Sequence, residues 1–197
     1  AAEGTVAHNL AEACLVNEVR PEMSLGEIRK VDGFEIKIDQ EMVDAVNVYL
    51  DVIYDDMKKL GLSHTDLNVE QEFTLHDVDE AAFGTNDASM GQQMGTLCIY
   101  DFKYGTGVPV SAVNNLQGLF YALGADQFGV YSDYKITIVQ PRCEYKEEGV
   151  VSTWEFGPEV LEEFKMQLEE RIAKVYSTKP EYNPGESQCR WCSAKAH

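Results

Sequence analysis

Apolar residues recur at helical spacing in four stretches of the chain and alternate or run together in five others. Between residues 5 and 19, Val6, Leu10, Ala13 and Cys14 with Ala7, Ala11 and Leu15 predict an amphipathic helix that begins near Gly4-Thr5, with Thr5 as its N-cap and Pro21 closing it. A second helix is predicted over 40–60 on the stripe Met42/Val43, Val46, Leu50, Ile53/Tyr54 and Met57, ended by Gly61. Residues 23–39 alternate short apolar patches with Gly26 and Gly33 and give no clear element. Strand patterns follow at 67–75, 82–89 and 96–103, the last two joined by Gly91-Gln92-Gln93-Met94-Gly95, whose length and composition suit a hairpin. A helix over 113–127 is expected to turn Leu116, Leu119/Phe120 and Leu123 inward. Strands at 134–140 and 151–156 precede a long acidic helix from Pro158 to about Tyr176, with Val160/Leu161, Phe164, Leu168 and Ile172 as its stripe.

This order predicts one α/β domain with a mixed central sheet of four or five strands, the first three antiparallel, flanked by helices. With 197 residues, 44% hydrophobic and 25% charged, the chain is long enough for one sizeable core. A formal net charge of −18 excludes nucleic-acid binding through a broad basic surface, which needs clustered Lys and Arg, and leaves open a local site that holds phosphate through metal ions. No run approaches the roughly 18 apolar residues of a membrane span, and Glu3, Glu12 and Glu18 stand where a leader would be basic and then apolar. A cytoplasmic protein without membrane association is the expectation. The chain starts at Ala1 without an initiator Met and stops after Ala196-His197, and a fragment of a longer protein is expected. The five cysteines are an odd number, scattered except for Cys189-Arg190-Trp191-Cys192, and do not form a disulfide framework.

The chemistry centres on Tyr100-Asp101-Phe102-Lys103. Residues i and i+2 of a strand share a face, so Asp101 and Lys103 leave the sheet together while Phe102 turns into the core. The same acidic-x-Lys spacing occurs at Glu35/Lys37, Asp56/Lys58, Asp133/Lys135, Glu144/Lys146 and Glu163/Lys165, so the spacing alone selects nothing. Antiparallel pairing of the second and third strands brings Asp87 next to Asp101. His8 lies on the first helix, one turn before Glu12, Glu70 lies on the first strand, and Gln117 and Tyr121 are one turn apart on the third helix. Taken singly, His8 is by default a packed or surface histidine, Asp87 after Gly84-Thr85-Asn86 a turn residue, Gln117/Tyr121 a packing pair and Glu12 a solvated helix residue.

In order, the stretches Glu3-Gly4-Thr5-Val6-Ala7-His8, Phe83-Gly84-Thr85-Asn86-Asp87, Tyr100-Asp101-Phe102-Lys103-Tyr104-Gly105 with Val108-Pro109-Val110-Ser111, Gln117 to Tyr121-Ala122-Leu123-Gly124, and the terminal Cys189/Cys192 pair span nearly the whole chain. In these the chain resembles the PD-(D/E)xK nuclease superfamily, specifically the RecB-type exonucleases and the CRISPR-associated spacer-acquisition nucleases, and among them a phage- and prophage-encoded domain of unknown function. The resemblance implies a restriction-endonuclease-like core and a metal-dependent DNA nuclease, expected to be an exonuclease acting on DNA ends or single strands, alongside phage recombination or replication proteins. It implies that His8, Asp87, Asp101 and the main-chain carbonyl of Phe102 hold Mg²⁺ or Mn²⁺, with Glu70 as an auxiliary carboxylate. Lys103 would orient or activate water, and Gln117 and Tyr121 would hold substrate or buttress the site. Phosphodiester hydrolysis needs a nucleophilic water and neutralised phosphoryl charge, which hard divalent cations on oxygen ligands supply, and a histidine biases the site towards Mn²⁺.

Cys189 and Cys192 are open between incidental thiols, a zinc half-site and two ligands of a 4Fe–4S cluster. Relatives that carry a cluster use one cysteine before the first helix and three near the C-terminus, and the resemblance implies the expectation that this chain starts just past the first and stops about where the third terminal one would follow. Two other classes of function compete with the nuclease: a catalytically silent DNA-binding or assembly module of a phage replication or recombination system, favoured by the negative charge, and a small metal-binding domain with zinc on Cys189 and Cys192.

Overall fold

The computed structural model describes residues 2–106, 108–143, 149–179, 184–189 and 192. Its elements are α1 (Ala2–Asn17), a hairpin of β1 (Ile28–Val31) and β2 (Phe34–Lys37), α2 (Gln40–Leu60), β3 (Leu67–Thr74), β4 (Phe83–Met90), β5 (Thr96–Phe102), α3 (Leu116–Ala125), β6 (Asp133–Val139), β7 (Val151–Phe156), α4 (Pro158–Val175) and the short α5 (Glu186–Cys189). The main sheet runs β3-β4-β5-β6-β7, mixed in direction and flanked by helices, which makes the protein α/β. β3, β4 and β5 are antiparallel neighbours, β5 and β6 are parallel with α3 as the crossover, and β7 returns antiparallel to β6.

β5 is buried along nearly its whole length because both of its faces are apolar. Cys98, Tyr100 and Phe102 join the cluster made with α1 and α2, while Leu97 and Ile99 join the cluster made with α3 and α4. α2 begins where Asp39 accepts a hydrogen bond from the Met42 N–H at 3.0 Å and ends at Gly61, whose φ of 68° is the left-handed cap conformation. Tyr100 donates its hydroxyl proton to Asp56 at 3.0 Å, and Lys135 Nζ reaches the same carboxylate at 2.7 Å, tying α2 to β5 and β6. Two of the sequence's other acidic-x-Lys pairs thus lend one member each to a buried structural network. The loop after β5 is pinned by Gln140, which accepts from the Val110 N–H at 3.1 Å and donates to the Val108 carbonyl at 2.9 Å.

The structure corrects several expectations. Thr5 lies inside α1 and is not its cap. The stretch without a clear pattern contains the β1–β2 hairpin, whose four-residue strands are too short to show alternation. α3 starts at Leu116, because Asn115 caps it by accepting from the Gly118 N–H at 2.9 Å. Leu116 is exposed, and the inward face is built from Gly118, Leu119, Tyr121 and Ala122. Gly118 sits so close to β6 that a Cβ there would lie 2.7 Å from Ile136 Cγ2, a small-residue contact that no hydrophobic stripe announces. No helix among the described residues is long and apolar enough to cross a membrane.

Candidate metal centre

The β4–β5 ladder ends at the pair Ala88–Tyr100, and continuing that register sets Asp87 opposite Asp101. From there the side chain of Asp87 takes over the contact between the strands, accepting from the main-chain N–H of Phe102 at 2.6 Å. Its other oxygen, Oδ1, lies 3.2 Å from Nδ1 of His8 on α1. The His8 ring tilts against Phe102 with centroids 5.4 Å apart, so the residue between Asp101 and Lys103 also seats the histidine. On the other side of β4, the pairs Val69–Ala88 and Gln71–Asn86 put Glu70 across from Asp87. Glu70 has a φ of 49°, a left-handed conformation uncommon for a non-glycine residue in a strand. His8, Glu70 and Asp87 each offer a ligand atom, and these atoms lie within 4.8 Å of one another.

Asp101 is placed differently from its expected partners. It is buried, with Oδ1 held by Lys103 Nζ at 2.9 Å and Oδ2 buried without a hydrogen-bond partner. The structure therefore groups His8, Glu70 and Asp87 directly and leaves Asp101 beside them, coupled to Asp87 and His8 through their charges. Lys103 Nζ also donates to Gln117 Oε1 at 2.9 Å, and Gln117 Nε2 donates to the Tyr121 hydroxyl at 2.9 Å. Tyr121 is buried in the α3–α4 cluster with its ring over Gly84 of β4, so it acts on Lys103 through Gln117. The cleft, about 410 Å³, is lined by Gly4, Thr5, His8, Glu70, Asp87 and Phe102 to Gly105. Among the described residues, none of the other acidic-x-Lys pairs lines it, and Glu144/Lys146 lies outside the described residues.

The electrostatics follow from crowding acids around one base. Burial alone lowers the His8 pKa, but the hydrogen bond and charge of Asp87, helped by Asp101 and Glu70, outweigh it and hold the imidazole above its usual 6.5. Burial pushes the Asp101 carboxyl up; Lys103 opposes the shift and Asp87 adds to it. Glu70 is raised by burial and then by Asp87 and Glu12. Glu12 is therefore electrostatically part of the site's surroundings, although its sequence position suggests only a solvated helix residue. The left-handed Glu70 and the unpartnered Asp101 Oδ2 carry no sequence signal. Cys189 ends α5 and is partly buried, while Cys192 is exposed; most of 180–197 lies outside the described residues.

A solved structure described as "Crystal structure of SSO0001" matches with a TM-score of 0.38 at 14% identity, covering 80% of this chain and 73% of that one. A family model described as "Protein of unknown function (DUF2800)" matches residues 1–197, and the chain belongs to that family.

Proposed function

We propose that this chain is a PD-(D/E)xK-type nuclease with a restriction-endonuclease-like core, which hydrolyses DNA ends or single strands with Mg²⁺ or Mn²⁺ in a bacterial cytoplasm, where it is phage-encoded or works with phage recombination proteins. The observation that carries this reading is the meeting of His8, Glu70 and Asp87 beside the Asp101–Lys103–Gln117 chain at the point where β4 parts from β5. The residues fit a hard divalent cation: the ligand atoms are imidazole nitrogen and carboxylate oxygen, and the buried, unpartnered Oδ2 of Asp101 supplies a further acceptor. His8, Glu70, Asp87 and Asp101 would hold the ion, with the Phe102 carbonyl as a further oxygen. When bound, such an ion acidifies water and offsets phosphoryl charge.

The chain's own groups supply the rest. Lys103 is held at Nζ by Asp101 and Gln117, which fixes an ammonium beside the cleft to hold a phosphate oxygen or orient water. Tyr121 fixes the Gln117 amide in turn, so that its oxygen faces the lysine. Asp87 holds His8 in place at Nδ1 and Phe102 at its N–H, which sets the depth of the cleft. Cys189 and Cys192 would supply two of the four cysteine ligands that a 4Fe–4S cluster requires.

Cleavage of end-labelled single- and double-stranded DNA with Mg²⁺ and with Mn²⁺ tests the reading, with Asp101→Asn as the control. Metal-dependent shortening of either substrate, lost in the variant, is expected. A catalytically silent DNA-binding or assembly module is the second reading. DNA that is bound and left intact with both ions would put that reading in place of the nuclease.

A further inference from the structure

We infer that the Tyr49 hydroxyl is a positioning group of the metal centre, a buried donor behind Phe102 that would engage a carboxylate oxygen or a bound water when a cation is held. This rests on the metal-centre reading above. Tyr49 lies on α2 with 1% of its surface exposed, and its ring stacks on Phe102 with centroids 4.9 Å apart and planes 24° apart. Phe102 is the residue whose N–H holds Asp87 and whose ring meets His8. The hydroxyl has no hydrogen-bond partner among the described residues. A phenylalanine would stack equally well and leave no polar atom stranded, so the core alone gives no reason for the oxygen.

The stranded polar atoms are not scattered. Among the described residues, the buried side-chain atoms without a partner belong to Tyr49, Asn86, Asp101 and Thr137. Asn86 precedes Asp87 on β4 and is fully buried; Asp101 stands across from Asp87; only Thr137 lies a strand further over, on β6. Burial, and after it the charges of Asp87, Asp101 and Glu70, keep the phenol protonated, so its O–H is available to donate.

Asp87 accepts from the Phe102 N–H and pairs with His8, and Asp101 accepts from Lys103 at Oδ1 while its Oδ2 has no partner. With a cation held by His8 and Asp87, carboxylate oxygens that do not ligate would need donors, and outer donors of this sort fix ligand orientation. Tyr49 is buried on the α2 side of the point where the β4–β5 ladder has opened, with its donor unengaged.

Thermal unfolding and calorimetric Mn²⁺ titration of the wild type, Tyr49→Phe and Thr137→Val test this. In Tyr49→Phe the metal-free midpoint should match or exceed the wild type, because no bond is lost, while Mn²⁺ affinity falls about tenfold and the Mn²⁺-induced rise shrinks with it. Thr137→Val, which removes an equally stranded hydroxyl one strand away, should leave the Mn²⁺-induced rise as in the wild type. Equal Mn²⁺ responses in wild type and Tyr49→Phe would overturn the inference alone. So would a Tyr49→Phe protein that is destabilised or unfolded without metal, since the hydroxyl would then be structural. A wild type that neither Mn²⁺ nor Mg²⁺ stabilises overturns both this inference and the metal-centre reading.

Discussion

Asp87 accepts the main-chain N–H of Phe102 at 2.6 Å, at the point where the backbone ladder between their strands has ended. One carboxylate thus replaces a strand contact and at the same time presents its second oxygen to His8. The opening between β4 and β5 is what makes room for a site, and Asp87 is the residue that holds it open without letting the strands drift apart.

Asp101→Asn and Lys103→Ala should separate binding from chemistry. Asp101→Asn removes a buried charge with its shape nearly kept, so Mn²⁺ affinity measured by calorimetry should fall at least about tenfold and cleavage should be lost with it. Lys103→Ala removes a cation beside the site, so Mn²⁺ binding should persist or tighten while single-turnover cleavage slows by about 10²-fold or more. A lysine variant that loses metal affinity as well would assign Lys103 a structural part only.

Glu70 is expected to trade stability for binding. It combines a left-handed φ with a carboxylate opposite, both unfavourable in a strand pair. Glu70→Asn tolerates that φ and removes the charge, so metal-free unfolding should be stabilised by about 0.5–1 kcal/mol while the Mn²⁺-induced rise becomes smaller. Loss of stability without metal would show that the glutamate supports the hairpin.

The pH dependence of the metal-free protein should run opposite to that of the loaded one. His8 has a raised pKa when folded, so its pairing with Asp87 contributes fully below about 6.5 and is lost as pH rises through the folded value. Asp101 and Glu70 are also raised, chiefly by burial, and their ionisation above about pH 4 weighs against the fold. In chelator the unfolding midpoint should therefore decline from about pH 5 to 8 through these groups, and His8→Gln should flatten the decline. The increment due to Mn²⁺ should grow over the same range, because protons compete for the same ligands. Chelator scans of wild type and His8→Gln that run parallel would remove His8 from this account.

Gly118→Ala tests how α3 places Gln117. The added Cβ would meet Ile136 Cγ2 at 2.7 Å, so α3 must lift from β6 at a cost of about 1–3 kcal/mol. Gln117, next to it, should lose its hold on Lys103, and cleavage should slow more than Mn²⁺ binding weakens. An unfolding midpoint equal to the wild type would mean that Ile136 moves aside freely.

The sequence by itself determined the α/β class and the order of the four long helices and the five strands of the main sheet, because stripes such as Met42/Val43, Val46, Leu50 and Ile53 fit the helical period and the short runs between turn residues fit strands, while the β1–β2 hairpin went unannounced. It also determined the end of α2 at Gly61, where a left-handed residue was needed, and the antiparallel pairing of β4 with β5 that can bring Asp87 next to Asp101, though not the register. The tertiary structure alone decided which acid meets which base. His8, on a helix, and Glu70, Asp87 and Asp101, on three strands, are far apart in the chain, and their grouping depends on where the β4–β5 ladder stops and on the backbone turn at Glu70. No local pattern encodes either. The same holds for Tyr121, whose helical spacing from Gln117 was plain but whose ring lies in the core, packed over Gly84 of β4. Tyr49 lies outside the stripe the sequence predicts for α2, and only the tertiary structure shows it buried and stacked on Phe102 with its hydroxyl unpartnered among the described residues.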